Sequence, residues 1–158
     1  MAILIGEYEC KLDAKFRIML PSSLLKQFSS EDQFSFVINR GFENYLNLYP
    51  RREWDKINTE LLKLSEYHKK SRDFVRYINN GARQLEIDSN NRILIPKHLL
   101  EYASIDREIV LFAYFNKVEI WDKENYSTSV KVKPENFSAL AEEVMAQINT
   151  RNVNDQNR

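Results

Sequence analysis

With 23 basic and 23 acidic side chains in 158 residues, the chain carries no net charge, so it does not attract polyanions as a whole and does not read as an ordinary basic nucleic-acid-binding domain. An apolar share of 43%, with 12% aromatic residues, is ample for a core and excludes bulk disorder. Three Gly and four Pro argue against a turn-dense sandwich and leave room for helices.

From the N-terminus, Met1–Ile5 is too short for a signal segment and lacks a basic leader. Tyr8, Cys10 and Leu12 then alternate with Glu7, Glu9 and Lys11, the period of a half-buried strand. The lone Cys10 can form no internal disulfide, which fits a reducing cytosol. Next comes Asp13-Ala-Lys-Phe-Arg17-Ile-Met-Leu-Pro21-Ser-Ser-Leu24-Leu25: a turn, a second strand with Ile18 and Leu20 on one side and Arg17 and Met19 on the other, then a helix. Pro21 supplies the fixed φ of a helix start, and Leu24, Leu25 and Phe28 predict a buried stripe about two turns long. Strands are predicted over 34–38 and 45–49, with Asn39–Asn44 as the turn between them.

Residues 51–80 are rich in helix formers. Trp54, Ile57, Leu61 and Leu64 mark one apolar face, Phe74, Tyr77 and Ile78 another, so two helices with a break near His68 are expected. The opening pattern then returns. Leu85 and Ile87 flank Glu86, and Asp88-Ser-Asn-Asn-Arg92-Ile-Leu-Ile-Pro96-Lys-His-Leu99-Leu100 repeats the thirteen-residue segment 75 positions on, with six identities where about one is expected by chance. Strands follow at 109–113 and 117–121, where Val118 and Ile120 match Leu46 and Leu48 at an offset of 72. Phe137, Leu140, Ala141, Val144, Met145 and Ile148 predict an amphipathic helix over 137–148, and the Asn-rich last ten residues are expected to be disordered. No apolar run approaches the roughly 20 residues that span a bilayer. The expected organisation is one unit over 7–54, a helical connector over 55–81, a second unit over 83–126 and a C-terminal helix with its tail over 127–158.

The paired Asp-x-x-x-Arg-Ile-x-Leu/Ile-Pro segments, the helical connector and the ending Lys117-Val-Glu-Ile-Trp-Asp122 together resemble the MraZ family of bacterial transcription regulators, over residues 1 to about 126. The resemblance implies an α+β fold, mainly β, of two tandem swapped-hairpin units of the AbrB type that form a pseudo-symmetric, double-psi-like barrel. It also implies a homo-oligomeric ring that binds double-stranded DNA at direct repeats, in the promoter of the division and cell-wall gene cluster. In function this is a cytoplasmic, nucleoid-associated regulator and not an enzyme, with no cofactor, no small-molecule substrate and no membrane partner. The family usually places Gly just before the motif arginine. Here Phe16 and Asn91 stand there, and Phe16 leaves the shape of the first turn open, because an aromatic residue rarely adopts φ > 0.

Arg17 and Arg92 are the candidate DNA contacts, since a guanidinium on a rigid turn can fork onto guanine or grip a phosphate. Lys15 adds a charge that Asn90 does not, which makes the first copy the stronger contact. Asp13 and Asp88 are candidates for fixing the turns by pairing with these arginines, a role that can coexist with DNA binding. Two alternatives remain: an oligomeric scaffold of the same fold without DNA binding, favoured by the neutral charge, and a hydrolase with an Asp13/Asp88 dyad. The dyad lacks the Asp-Thr/Ser-Gly context of aspartic proteases, and each Asp has an Arg nearby that favours ionisation. His68 and His98 lack partners at ligand spacing, so no metal site is expected. His68, Lys69, Lys70, Arg72 and Arg76 form the only basic cluster. Exposed strand edges and an amphipathic helix call for an oligomer.

Overall fold

The structure is a computed structural model that describes residues 3–33 and 35–157. Its elements run β1 (Leu4–Lys11), β2 (Arg17–Met19), α1 (Ser22–Leu25), β3 (Ser35–Arg40), β4 (Leu46–Pro50), α2 (Arg51–Leu61), α3 (Lys69–Asn79), β5 (Arg83–Glu86), β6 (Arg92–Leu94), α4 (Lys97–Tyr102), β7 (Glu108–Phe115), β8 (Lys117–Asp122), α5 (Lys123–Ser129) and α6 (Pro134–Gln156). The expected strand start at Phe34 lies outside the described residues. The fold is α+β. It has a six-stranded antiparallel sheet in the order β1-β7-β8-β4-β3-β5 and a separate two-stranded ribbon, β2-β6.

The pairing shows how the two copies of the repeat interleave. Hairpin β3-β4 belongs to the first copy and β7-β8 to the second, but β1 pairs with β7 and β5 with β3, so each copy lends its first strand to the other's hairpin. Where β2 meets β6, Ile18 faces its own repeat equivalent Ile93; where β4 meets β8, Asn47 faces its equivalent Glu119. A pseudo-two-fold axis therefore runs through both crossings. Neither copy has a complete sheet alone, so the swap holds the two together in one cooperative unit.

Ile18, Leu20, Leu24, Phe36, Ile38 and their second-copy partners Ile93, Ile95, Leu99, Ile109 and Leu111 are essentially inaccessible and form the main core between sheet and ribbon. The outer face of the sheet is covered twice over. Val37 and Tyr49 pack on Trp54 of α2, while Val110, Tyr45 and Trp121 pack on Tyr126 of α5. Tyr49 and Trp54 recur 72 positions later as Trp121 and Tyr126, the two ring types exchanged. The helix after β8 is thus the second-copy counterpart of the start of α2.

Pro21 and Pro96 lie one position before their helices, with φ near −58° and −59°, and their carbonyls accept the first helical N–H bonds. Helix α1 is only four residues long, shorter than the expected two turns, because the chain tightens into i→i+3 bonds at Gln27 and Phe28 while still burying the Phe28 ring. Edge strand β1 is blunted at Ile5, whose N–H donates to Gln27 Oε1 and whose carbonyl accepts from Gln27 Nε2.

Contacts divide the chain into Met1–Tyr126 and Ser127–Arg158. In the second of these, α6 carries the helix through Gln156, past the expected end at 148 and through most of the tail expected to be disordered. Residues 149–156 contain neither Gly nor Pro, so once the helix is nucleated each further residue costs only a few tenths of a kcal/mol relative to a good helix former.

Candidate nucleic-acid interface

Alternation along the β2-β6 ribbon sends Ile18 and Ile93 into the core and Arg17, Met19, Arg92 and Leu94 outward onto one face. Because Arg17 pairs with Leu94 and Met19 with Arg92, the two arginines lie diagonally across the ribbon. They are therefore about 7–8 Å apart in the manner of such neighbours.

The two turns that present them have the same design. In the first, Asp13 Oδ1 accepts the N–H groups of Lys15 at 2.8 Å and Arg17 at 2.9 Å, while Oδ2 accepts Arg17 Nε at 2.9 Å. In the second, Asp88 does the same with the N–H groups of Asn90 and Arg92 and with Arg92 Nε, at 2.8, 2.9 and 2.9 Å. In both, the backbone N–H of Arg17 and of Arg92 does most to hold the aspartate carboxyl below its ordinary value, followed by the N–H of residue 15 or 90 and the guanidinium. A dyad sharing one proton requires a carboxyl pushed the other way. The bond through Nε fixes each guanidinium against its own turn and does not use its two terminal amino groups.

Phe16 leaves the turn unchanged. Its φ is +64°, against +60° at Asn91. A left-handed conformation costs an L-residue about 1–2 kcal/mol, and three interactions offset that cost. The Phe16 carbonyl accepts Ile95 N–H at 2.9 Å, matching the Asn91 carbonyl with Leu20 N–H at 2.8 Å. The ring packs against the main core. Lys97 Nζ stands 4.8 Å above the ring centroid, a cation–π contact. Lys97, from the second copy's helix, thus joins the exposed Lys15 and the half-buried Arg17 around the first turn, whereas its repeat equivalent beside the second turn is Ser22. Sequence reading missed Lys97. The signal appears only when the swap is known, because the swap lays each turn against the other copy's helix.

The remaining candidates are separately placed. The basic cluster lies on or beside α3, where one carboxylate, Asp73, pairs with two of its cations. Lys69 Nζ is 2.7 Å and Arg76 Nη1 3.6 Å from Asp73, and Arg72 donates to the Glu66 carbonyl. His68 precedes α3, and His98 Nε2 lies 3.3 Å from the Gly81 carbonyl. Among the described residues no group of His, Cys, Asp or Glu could hold a metal ion. Burial pushes the Cys10 thiol up to about 11. No helix of the described residues is long and apolar enough to cross a membrane.

Two interleaved copies of one hairpin unit, related by a pseudo-dyad and each closed by an Asp-x-x-x-Arg turn, define a tandem swapped-hairpin protein of the AbrB type. Comparison with known sequences narrows the class. The family model described as "MraZ protein, putative antitoxin-like" matches twice, over residues 3–77 and 78–148. The chain belongs to the MraZ family. It is 47% identical over 146 residues to the protein of Christiangramia forsetii named Transcriptional regulator MraZ, covering 92% of this chain and 94% of that one. A protein of the same name from Flavobacterium psychrophilum is 43% identical over 150 residues, covering 94% and 96%. Another from Pediococcus pentosaceus is 36% identical over 141 residues, covering 89% and 96%.

Proposed function

We propose that the protein is a transcriptional regulator that binds double-stranded DNA through the outer face of the β2-β6 ribbon, at direct repeats in the promoter of the division and cell-wall gene cluster. The observation that carries this reading is the paired presentation of Arg17 and Arg92 on one ribbon face, each locked through Nε onto its own turn by a bond that does not use its terminal amino groups. A two-stranded ribbon fits the major groove, and two guanidinium forks on it can read guanine edges or grip phosphates. Asp13 and Asp88 act as turn-fixing residues, and Lys15 and Lys97 make the first turn the stronger contact. The protein works in the cytoplasm at the nucleoid. Its units are 7–54 and 83–126, with the connector 55–81 between them and the helical segment 127–158 after them.

A protomer without net charge gains little from counterion release, so affinity must be gathered over several ribbons held at fixed spacing. A homo-oligomeric ring, closed through heterologous contacts, supplies them. Titration at fixed salt tests this. DNA with three repeats should bind orders of magnitude more tightly than DNA with one, and insertion of half a helical turn between repeats should remove most of the gain. Comparable affinity for one and three repeats would refute it. Besides the neutral charge, the scaffold reading is favoured by the exposed apolar Met19 and Leu94 beside the arginines; a ribbon face covered by protein instead of DNA would show no binding to either duplex.

A further inference from the structure

We propose that α6 is a self-association element, pairing antiparallel with α6 of a second copy of this chain. No residue of this helix is buried. Phe137, Leu140, Val144, Met145 and Ile148 are each between 45% and 60% exposed, an apolar stripe larger than scattered surface residues account for. Phe137, Ala141, Val144 and Ile148 are separated by four, three and four positions, the spacing of a left-handed two-helix seam.

The order of the stripe identifies its occupant. Set a second α6 antiparallel so that Phe137 meets Ile148; then Ala141 meets Val144, Leu140 lies level with Met145, and the whole set maps onto itself. A surface that is its own complement about a two-fold axis is the condition for an isologous contact, in which residue i touches j and j touches i. The small Ala141 in the middle lets the helices approach closely, and the larger Phe137 and Ile148 close the two ends. Charges agree with this direction. Glu142 and Glu143 fall on the side away from the seam, and Arg151 comes level with the first turn of the other helix near Glu135. A parallel pair would instead stack Arg151 on Arg151 along the seam. Opposed helix dipoles favour the antiparallel arrangement as well. Because both faces are filled by the pairing, this contact joins copies two at a time, and it is distinct from the head-to-tail contacts that close a ring.

Cysteine cross-linking in the full chain tests the pairing and its direction. In the antiparallel register, positions 137 and 148 of opposite helices are adjacent, while 137 lies about 16 Å from its own equivalent, a distance no disulfide spans. Under mild oxidation the double variant Phe137→Cys/Ile148→Cys should give a covalent dimer on a non-reducing gel. Each single variant, and the natural chain with Cys10 alone, should not. Cross-linking of the single variants as efficiently as the double would overturn the antiparallel register, and no cross-link in any of them would overturn the pairing. Val144→Glu added to the double-cysteine variant, which puts a charge in the middle of the seam, should abolish the covalent dimer at unchanged helix content by circular dichroism. An undiminished cross-link would also overturn the proposal. Neither readout depends on DNA, so failure here is distinguishable from failure of the DNA-binding reading.

Discussion

Glu119 anchors a buried polar network on the pseudo-dyad, and its removal should be among the most damaging single changes in the chain. The residue is 5% exposed. Oε2 accepts the Tyr114 hydroxyl at 2.6 Å and pairs with Lys117 Nζ at 3.2 Å, and Oε1 accepts Trp121 Nε1 at 3.0 Å. Burial, then the Glu119 bond, push the Tyr114 phenol well above its ordinary value, so it remains a donor at every physiological pH. Glu119→Ala leaves Lys117, among the described residues, with Asn47 Oδ1 at 3.1 Å as its acceptor, and strands two neutral donors. Breaking a buried ion pair from one side costs about 3–5 kcal/mol, and the remaining Asn47 bond sets the lower end, about 3 kcal/mol. For a unit of this size that lowers Tm by roughly 10 °C. Glu119→Gln keeps an acceptor for Trp121 and should cost about 1–2 kcal/mol. Lys117→Met combined with Glu119→Leu, which removes both charges, should be milder than Glu119→Ala. Urea unfolding at pH 7, followed by tryptophan fluorescence, gives all three values. A loss under 1 kcal/mol for Glu119→Ala, or a double variant worse than it, would refute the reasoning.

Phe16→Val should destabilise by about 1–2 kcal/mol beyond the loss of ring contacts, because a β-branched residue tolerates the left-handed turn worse than Phe does; Phe16→Asn should keep the turn, as Asn91 does in the second copy, and urea midpoints separate the two. Asp13 and Asp88 have folded-state carboxyls below the ordinary value, so their contribution to stability is fully present above about pH 4 and is lost as pH falls through the lowered folded values. The double variant Asp13→Asn/Asp88→Asn should therefore show a shallower fall of Tm between pH 5 and 2, and a fall as steep as that of the natural chain would contradict the assignment.

The duplicated thirteen-residue segment made the tandem organisation, the strand pattern and all five turn residues readable from sequence, because a hydrophobic period and a turn signature are local properties. The exchange of β1 and β5 between copies was not readable from local pattern, since alternation says which face a strand buries and nothing about which neighbour it pairs with. Lys97 was missed for the same reason. Helix α5 escaped because Lys123–Ser129 has only one apolar anchor, Tyr126; the offset of 72 that matched the preceding strands, carried five residues further, would have aligned it with Trp54. Glu119 looked like the polar half of an alternating strand. Its burial depends on Tyr114, Trp121 and α5 closing over the outer face of the sheet, a tertiary effect with no counterpart in the residue pattern.

The central claim is that the β2-β6 ribbon reads DNA through two turn-locked arginines. Its most direct test is the affinity of Arg17→Ala, Arg92→Ala and the double variant for a duplex carrying three promoter repeats, at fixed salt and with the fold checked by circular dichroism. Each lost guanidinium fork should cost about 1–3 kcal/mol per engaged subunit, so both single variants should bind more weakly, Arg17→Ala the more so because Lys15 and Lys97 gather around the first turn, and the double variant should show no specific binding. Affinity of the double variant equal to that of the natural chain would contradict the account.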